Sequence, residues 1–256
     1  MDNMKPVGVL DSGVGGISIL KALIKFLPHE NFVYIGDSAN APYGEKSREE
    51  IAKLTFDSVN RLLDEGCKAV VVACNTATAA AINDLRETYP NIPMIGLEPA
   101  VKPAVLSHPG GRVVVMATPF TLKEKKYKKL VKRYVDMAEI IPLPAPKLVT
   151  FAEAREYDSE NVRAYLSELF EPLKDRPIDA VVLGCTHFPF LMNAISEIAG
   201  KDAALYDSAT GVGNEVRRQL QRHGLINDSE GTGTVKIINS GGEFFEKLSE
   251  RLLYGK

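Results

Sequence analysis

Cys74 and Cys185 each follow a short apolar run and open a small polar motif. The first stretch reads Ala69-Val70-Val71-Val72-Ala73-Cys74-Asn75-Thr76, the second Ala180-Val181-Val182-Leu183-Gly184-Cys185-Thr186-His187. The thiols are 111 residues apart (185 − 74 = 111), and the same offset lays Ala180 on Ala69 and Val181-Val182 on Val70-Val71. Such β-branched runs predict buried parallel strands, and in open α/β sheets ligands bind just past the strand C-termini. Both thiols therefore fall in binding territory. Two thiols on opposite sides of one carbon can exchange its proton: one takes it as thiolate, the other returns one as thiol. A packing role competes, since free cysteine is among the most buried residue types, but the polar residues after each thiol weigh against it. Cys67, after Glu65-Gly66 and just before the strand, reads as the structural one.

A carbon acid is far weaker than a thiol, whose reference pKa is about 8.5, and each unit of mismatch costs ~1.4 kcal/mol. Without a cofactor, carbanion stabilisation has to come from fixed donors on a substrate carboxylate and from excluded water. Asn75-Thr76, Thr186-His187 and Tyr43-Gly44 offer hydroxyls, amides and helix N-terminal N–H groups. Such groups bind carboxylates without a dedicated Arg, because a helix N-terminus carries about half a positive charge. His187 can tune Cys185 or donate a proton. Asp11-Ser12-Gly13-Val14-Gly15-Gly16 is an incomplete dinucleotide fingerprint: the third glycine of GxGxxG falls on Ser18, and only Asp37 of Gly36-Asp37-Ser38 stands as a ribose acid. Asp11 would repel phosphate, so a small zwitterion with an ammonium group suits this turn better.

The elements that must position these groups alternate. Strands are expected at Pro6 to Asp11, Asn31 to Gly36, Ala69 to Ala73, Pro93 to Gly96, Gly111 to Thr118, Ala138 to Leu143, Ala180 to Gly184, Ala204 to Tyr206 and Val235 to Ile238. The intervening helices are one with Ile17, Leu20, Leu23, Ile24 and Leu27 on one face, then Ser47 to Glu65, Thr76 to Tyr89, Leu122 to Tyr134, Val162 to Leu173, Phe190 to Ile198, Val212 to His223 and Glu243 to Leu253. Ser47 with Glu50 forms a capping box. This order implies an α/β fold of two doubly wound parallel-sheet domains, residues 1–98 with 208–256 and residues 99–207, around a cleft between the two cysteine loops.

Composition narrows the partners. A net charge of −2 leaves no basic footprint for nucleic acid. The cluster Lys123, Lys125, Lys126, Lys128, Lys129 and Lys132 reads as the solvated face of a helix whose other side holds Tyr127, Leu130 and Val131. No stretch approaches the roughly 20 apolar residues of a membrane span, and the chain runs from Met1 into a strand without a leader, so a cytoplasmic protein is expected. Three cysteines without close spacing fit reduced thiols, and four histidines without CxxC or HxxxH give no metal site. A homodimer is compatible with the sequence, which does not itself set the oligomeric state.

Asp11-Ser12-Gly13-Val14-Gly15-Gly16, Pro42-Tyr43-Gly44, Cys74-Asn75-Thr76-Ala77, Glu98-Pro99-Ala100 and Gly184-Cys185-Thr186-His187-Phe188-Pro189 together resemble the bacterial glutamate racemases of the aspartate/glutamate racemase superfamily, along nearly the whole chain. The resemblance implies two α/β domains with pseudo-twofold symmetry, no cofactor, and interconversion of L- and D-glutamate that supplies D-glutamate for peptidoglycan. It also implies that Cys74 acts on D-glutamate helped by Asp11, and Cys185 on L-glutamate helped by His187, with Glu153 a further acid near the site. The matching substrate-binding residues are Asp11, Ser12, Pro42, Tyr43, Gly44, Asn75, Thr76, Thr118, Thr121, Thr186 and His187. Two departures stand out. Ala117 replaces a usual glycine before Thr118 and Thr121, and Ala145-Pro146 stands where the family often has Cys-Pro. The rival readings are another two-cysteine member (aspartate racemase, hydantoin racemase or maleate isomerase), a non-enzymatic binding protein, and a redox dithiol protein.

Overall fold

Valine-rich runs become the central strands of two parallel sheets in the computed structural model, which describes residues 3–255; the lead-in from Met1 lies outside the described residues. Contacts divide the chain into unit 1 (Met1–Leu97 and Ala209–Lys256) and unit 2 (Glu98–Ser208). Unit 1 begins with β1 (Val7–Asp11), α1 (Ile17–Phe26), β2 (Phe32–Gly36), α2 (Arg48–Asp64), β3 (Ala69–Val72), α3 (Asn75–Thr88) and β4 (Met94–Gly96). Unit 2 follows with α4 (Val101–Ser107), β5 (Arg112–Ala117), α5 (Pro119–Lys123), α6 (Lys125–Lys132), β6 (Glu139–Pro144), α7 (Lys147–Glu153), α8 (Glu160–Phe170), β7 (Ala180–Leu183), α9 (Met192–Ala199) and β8 (Ala204–Tyr206). Unit 1 is completed by α10 (Ala209–Arg222), β9 (Val235–Asn239) and α11 (Glu243–Tyr254).

All pairings are parallel, in the orders β4-β3-β1-β2-β9 and β6-β5-β7-β8. Read from the other edge, the second is β8-β7-β5-β6, the same permutation as β4-β3-β1-β2. The internal repeat seen around the cysteines thus extends to four strands of each sheet.

Period-two alternation shows how unit 2 is covered on both faces. Val114, Met116, Val181 and Leu183 pack with Leu148 and Val149 of α7, Leu166 and Phe170 of α8, and Ile195 of α9. Their neighbours Val113, Val115, Ala180 and Val182 face the opposite way, against Val101 and Val105 of α4 and Tyr127 and Leu130 of α6. Strands buried on both faces read as continuous hydrophobic runs, which is why no alternation was visible in the sequence. In unit 1, α1 buries Ile17, Leu20 and Leu23.

Several boundaries differ from the sequence reading. The expected helix from Leu122 to Tyr134 is two helices, because Thr118 as N-cap and Pro119 in the first turn start α5 independently, and extended backbone at Glu124 restarts the chain as α6. The lysines at 123, 125, 128, 129 and 132 are exposed, and Lys126 pairs with Glu98 at 3.4 Å. α8 stops at Phe170 and continues only as a 3₁₀ turn, since Pro172 cannot donate to the helix. Pro189 likewise opens a 3₁₀ turn, Phe188–Leu191, ahead of α9. α4 and α7 were not foreseen: each has seven residues, and Pro103 sits where a first-turn proline is tolerated. The Ser47 cap forms, accepting from the Glu50 N–H at 3.1 Å, but the Glu50 carboxylate takes Lys46 instead at 2.8 Å.

Candidate active site

Parallel strands bring their C-terminal loops to one edge, so the sheet order sets which loops adjoin. In unit 1 Cys74, Asp11, Asp37 and Ser240 stand at or just past the C-terminal ends of β3, β1, β2 and β9, in that order. The chain leaves β1 outward to β2 and then crosses back to β3, so the topological switch point lies between Asp11 and Cys74. The Ala73 N–H still bonds to Leu10 O at 2.8 Å, and Cys74 then caps α3, its sulfur accepting from the Ala77 N–H at 3.4 Å. The positive end of α3 therefore faces the sulfur, a setting that can hold a sulfur anion.

Around that thiol, Asn75 and Thr76 are buried, and Asn75 Oδ1 has no hydrogen-bond partner among the described residues. A buried unpaired acceptor costs about 1–3 kcal/mol, so this atom calls for an N–H donor such as an ammonium group. Asp11 and Ser12 are buried, and Asp11 Oδ1 accepts from the Gly13 N–H at 3.1 Å. A Cβ at Gly16 would lie 2.5 Å from Asp11 Cβ, so this glycine serves to pack the turn against Asp11.

Tyr43 differs from the expectation. Its hydroxyl donates to Asp37 Oδ2 at 2.7 Å, and burial, reinforced by Asp37, pushes its pKa far above the ordinary value. The hydroxyl is committed inside the protein. What Pro42, Tyr43 and Gly44 can offer a ligand is the main chain of the 3₁₀ turn Tyr43–Glu45.

Unit 2 repeats the geometry with different chemistry. Its switch point lies between β5 and β7, followed by Thr118 and Cys185. Thr118 caps α5, accepting from the Thr121 N–H at 3.2 Å while its hydroxyl donates to Thr121 Oγ1 at 3.0 Å, so the pair stays together despite Ala117. The Gly184 N–H bonds to Met116 O at 2.8 Å, and a Cβ at Gly184 would stand 2.7 Å from that oxygen. Gly184→Ala should therefore push the Cys185 loop outward and cost about 1–3 kcal/mol in urea unfolding. Wild-type stability in this variant would show that the backbone yields freely there.

Cys185 keeps the phase of Val181 and Leu183, so its side chain joins the face covered by α7, α8 and α9. That choice of face brings it to Glu153, the last residue of α7. Cys185 Sγ lies 3.7 Å from His187 Nδ1, and His187 Nε2 lies 2.6 Å from Glu153 Oε1. The ring is buried. Burial by itself would lower the His187 pKa, but hydrogen bonds to Cys185 and Glu153, and their charges, raise it well above the ordinary value. With Glu153 holding Nε2–H, Nδ1 can take the thiol proton, leaving a thiolate beside an imidazolium. Thr186, between the two, is also buried.

Cys67 behaves as a core residue: burial, then Glu65, pushes its thiol up to about 12. Among the described residues no group of three His, Cys, Asp or Glu is placed to hold a metal ion, and no helix is long and apolar enough to cross a membrane.

The site thus belongs to a duplicated parallel α/β protein with a thiol at each switch point. Residues 17–210 match the Asp/Glu/Hydantoin racemase family. The chain is 48% identical over 249 residues to the glutamate racemase of Clostridium acetobutylicum, covering 97% of each. Two similar solved structures are the Francisella tularensis glutamate racemase in complex with D-glutamate (TM-score 0.84, 29% identity, 98% of this chain and 94% of that one) and the Escherichia coli glutamate racemase in complex with L-glutamate and the activator UDP-MurNAc-ala (0.84, 29%, 97% and 95%). The chain belongs to the Asp/Glu/Hydantoin racemase family and is an isomerase.

Proposed function

We propose that this chain interconverts L- and D-glutamate without a cofactor, with Cys74 and Cys185 serving opposite faces of one Cα. The observation that carries the reading is the repeated switch point, which holds a thiol in each unit and gives each thiol its own support. Cys74 has the N-terminus of α3, and Cys185 has His187 and Glu153. The relatives matched along nearly the whole chain are glutamate racemases, and the two structures compared above hold one enantiomer each.

In this reading Cys185, as a thiolate paired with the His187 imidazolium, takes the proton of L-glutamate and keeps it as a thiol, while Cys74 returns a proton from the other face. The reverse reaction starts at Cys74 with D-glutamate, assisted by Asp11. Asn75 Oδ1 receives the substrate ammonium group. Ser12, the main chain of Pro42-Tyr43-Gly44, and Thr76, Thr118, Thr121 and Thr186 hold its carboxylates. The product D-glutamate serves peptidoglycan synthesis.

Loss of ellipticity when L-glutamate is incubated with protein freed of carbonyl cofactors tests the proposal. Treatment with a carbonyl reagent should leave the rate unchanged. A rate that appears only after pyridoxal phosphate is added would sink the idea, and turnover of aspartate in place of glutamate would move the chain to another branch of the family.

A further inference from the structure

Asp37 lies just past β2, and its carboxylate gathers four hydrogen bonds from three side chains. Oδ2 accepts from the Tyr43 hydroxyl at 2.7 Å, Oδ1 accepts from Ser240 Oγ at 2.6 Å, and Asn40 Nδ2 donates to both oxygens at 3.1 Å. Asp37 is 6% exposed, so these donors replace water around a buried carboxylate, the condition under which such a group is tolerated. Ser240 follows β9, 203 residues along the chain from Asp37. The same turn holds the loop at two more points: the Ala39 N–H donates to Ser240 Oγ at 3.1 Å, and Asn239 Nδ2 donates to Ser38 Oγ at 3.1 Å. Asn239 is itself fixed, its N–H on Glu246 of α11 at 3.3 Å and its Oδ1 on the Gly241 N–H at 2.9 Å.

Tyr43 is thus pinned at its far end, where its single hydroxyl proton goes to Asp37. A pinned ring fixes the main chain that carries it, and Pro42-Tyr43-Gly44 is the turn assigned above to a substrate carboxylate. We infer that Asp37 is a positioning residue for this turn, acting through Tyr43, and that the turn after β9 belongs to the same machinery although the family match ends at residue 210. This rests on the racemase reading of the site. The carboxylate read for this turn is the side-chain one, remote from the carbanion and held alike in ground state and transition state, so loosening the contact should appear in KM and not in kcat.

The test uses the full chain with Asp37→Asn, Tyr43→Phe and the double variant, with KM and kcat for glutamate measured beside thermal unfolding. Asn places an NH₂ where Asp37 has an oxygen, so one donor meets another donor. Each single variant should raise KM about tenfold, the scale of one charged hydrogen bond, with kcat near wild type. The double variant should be no worse than Asp37→Asn, because the two act in series. Ser240→Ala should raise KM less. If Asp37→Asn does not fold, Tyr43→Phe and Ser240→Ala carry the same test. Unchanged KM with only a lower melting temperature, a fall in kcat at constant KM, or additive losses in the double variant would each overturn the inference. Absence of glutamate turnover in the wild type would overturn the racemase reading itself, and normal wild-type turnover with an unaffected Asp37→Asn would remove only the role of Asp37.

Discussion

Cys74→Ala and Cys185→Ala should each abolish racemisation of glutamate, a loss of at least about 10³-fold, whereas Cys67→Ala should leave it nearly intact. The contrast follows from what surrounds each sulfur. Cys74 stands on the Ala77 N–H at the start of α3, and Cys185 on His187, while Cys67 is enclosed by core and held as a thiol by burial. If both thiols serve one carbon, removing either leaves a carbanion with no donor on one face. In deuterated water the wild type should then place deuterium at Cα of the enantiomer formed, while unreacted substrate stays largely unlabelled at low conversion. A single base returns the solvent hydron to the face it came from, so substrate and product would label together. Mass spectrometry of the separated enantiomers reads the difference. Equal early labelling, or substantial turnover in either alanine variant, would remove the two-base assignment and leave a racemase that works with a single base.

The strands were legible because valine runs announce buried parallel strands, and the Cys74 and Cys185 loops because each ends such a run. The strand permutation was not, since pairing order depends on crossovers that leave no local mark. Glu153 stood in the sequence only by resemblance: α7 is short, follows a proline, and lies 34 residues before His187, yet its carboxylate is 2.6 Å from the ring. No spacing rule links residues so far apart, and the phase of β7 that turns Cys185 toward α7 shows only once the sheet is built. Asp37 was visible as an acid after a strand and was weighed against a ribose. Its partner Ser240 comes from the far end of the chain, so the hydrogen bonds that commit Tyr43 inward could not be read locally. The lysine pattern, by contrast, needed only helical phase, and α6 exposes the lysines at 125, 128, 129 and 132 while burying Tyr127 and Leu130.

His187→Gln should lower kcat/KM by about 10² to 10⁴, and by the same factor in both directions. The symmetry is forced: the enantiomers have equal free energy in water, so the equilibrium constant is one whatever the variant. The asymmetry must appear elsewhere. Slowing transfer at Cys185 makes abstraction from L-glutamate more rate-limiting, so the isotope effect with Cα-deuterated L-glutamate should rise while that with the D enantiomer falls toward one. Glu153→Gln should shift both effects the same way by less, since it loosens the ring without removing it. The same cluster fixes a stability signature. His187 has a folded pKa raised well above its usual value, so the folded protein keeps a proton that the unfolded chain releases near about 6.5. The stabilisation is complete below that pH and is lost as pH rises through the folded value. Urea midpoints of the wild type should therefore fall, relative to those of His187→Gln, as pH is raised from about 6.5. Parallel midpoint curves would mean that His187 is neutral in the fold, and isotope effects that move together for both enantiomers would mean that it supports neither thiol in particular.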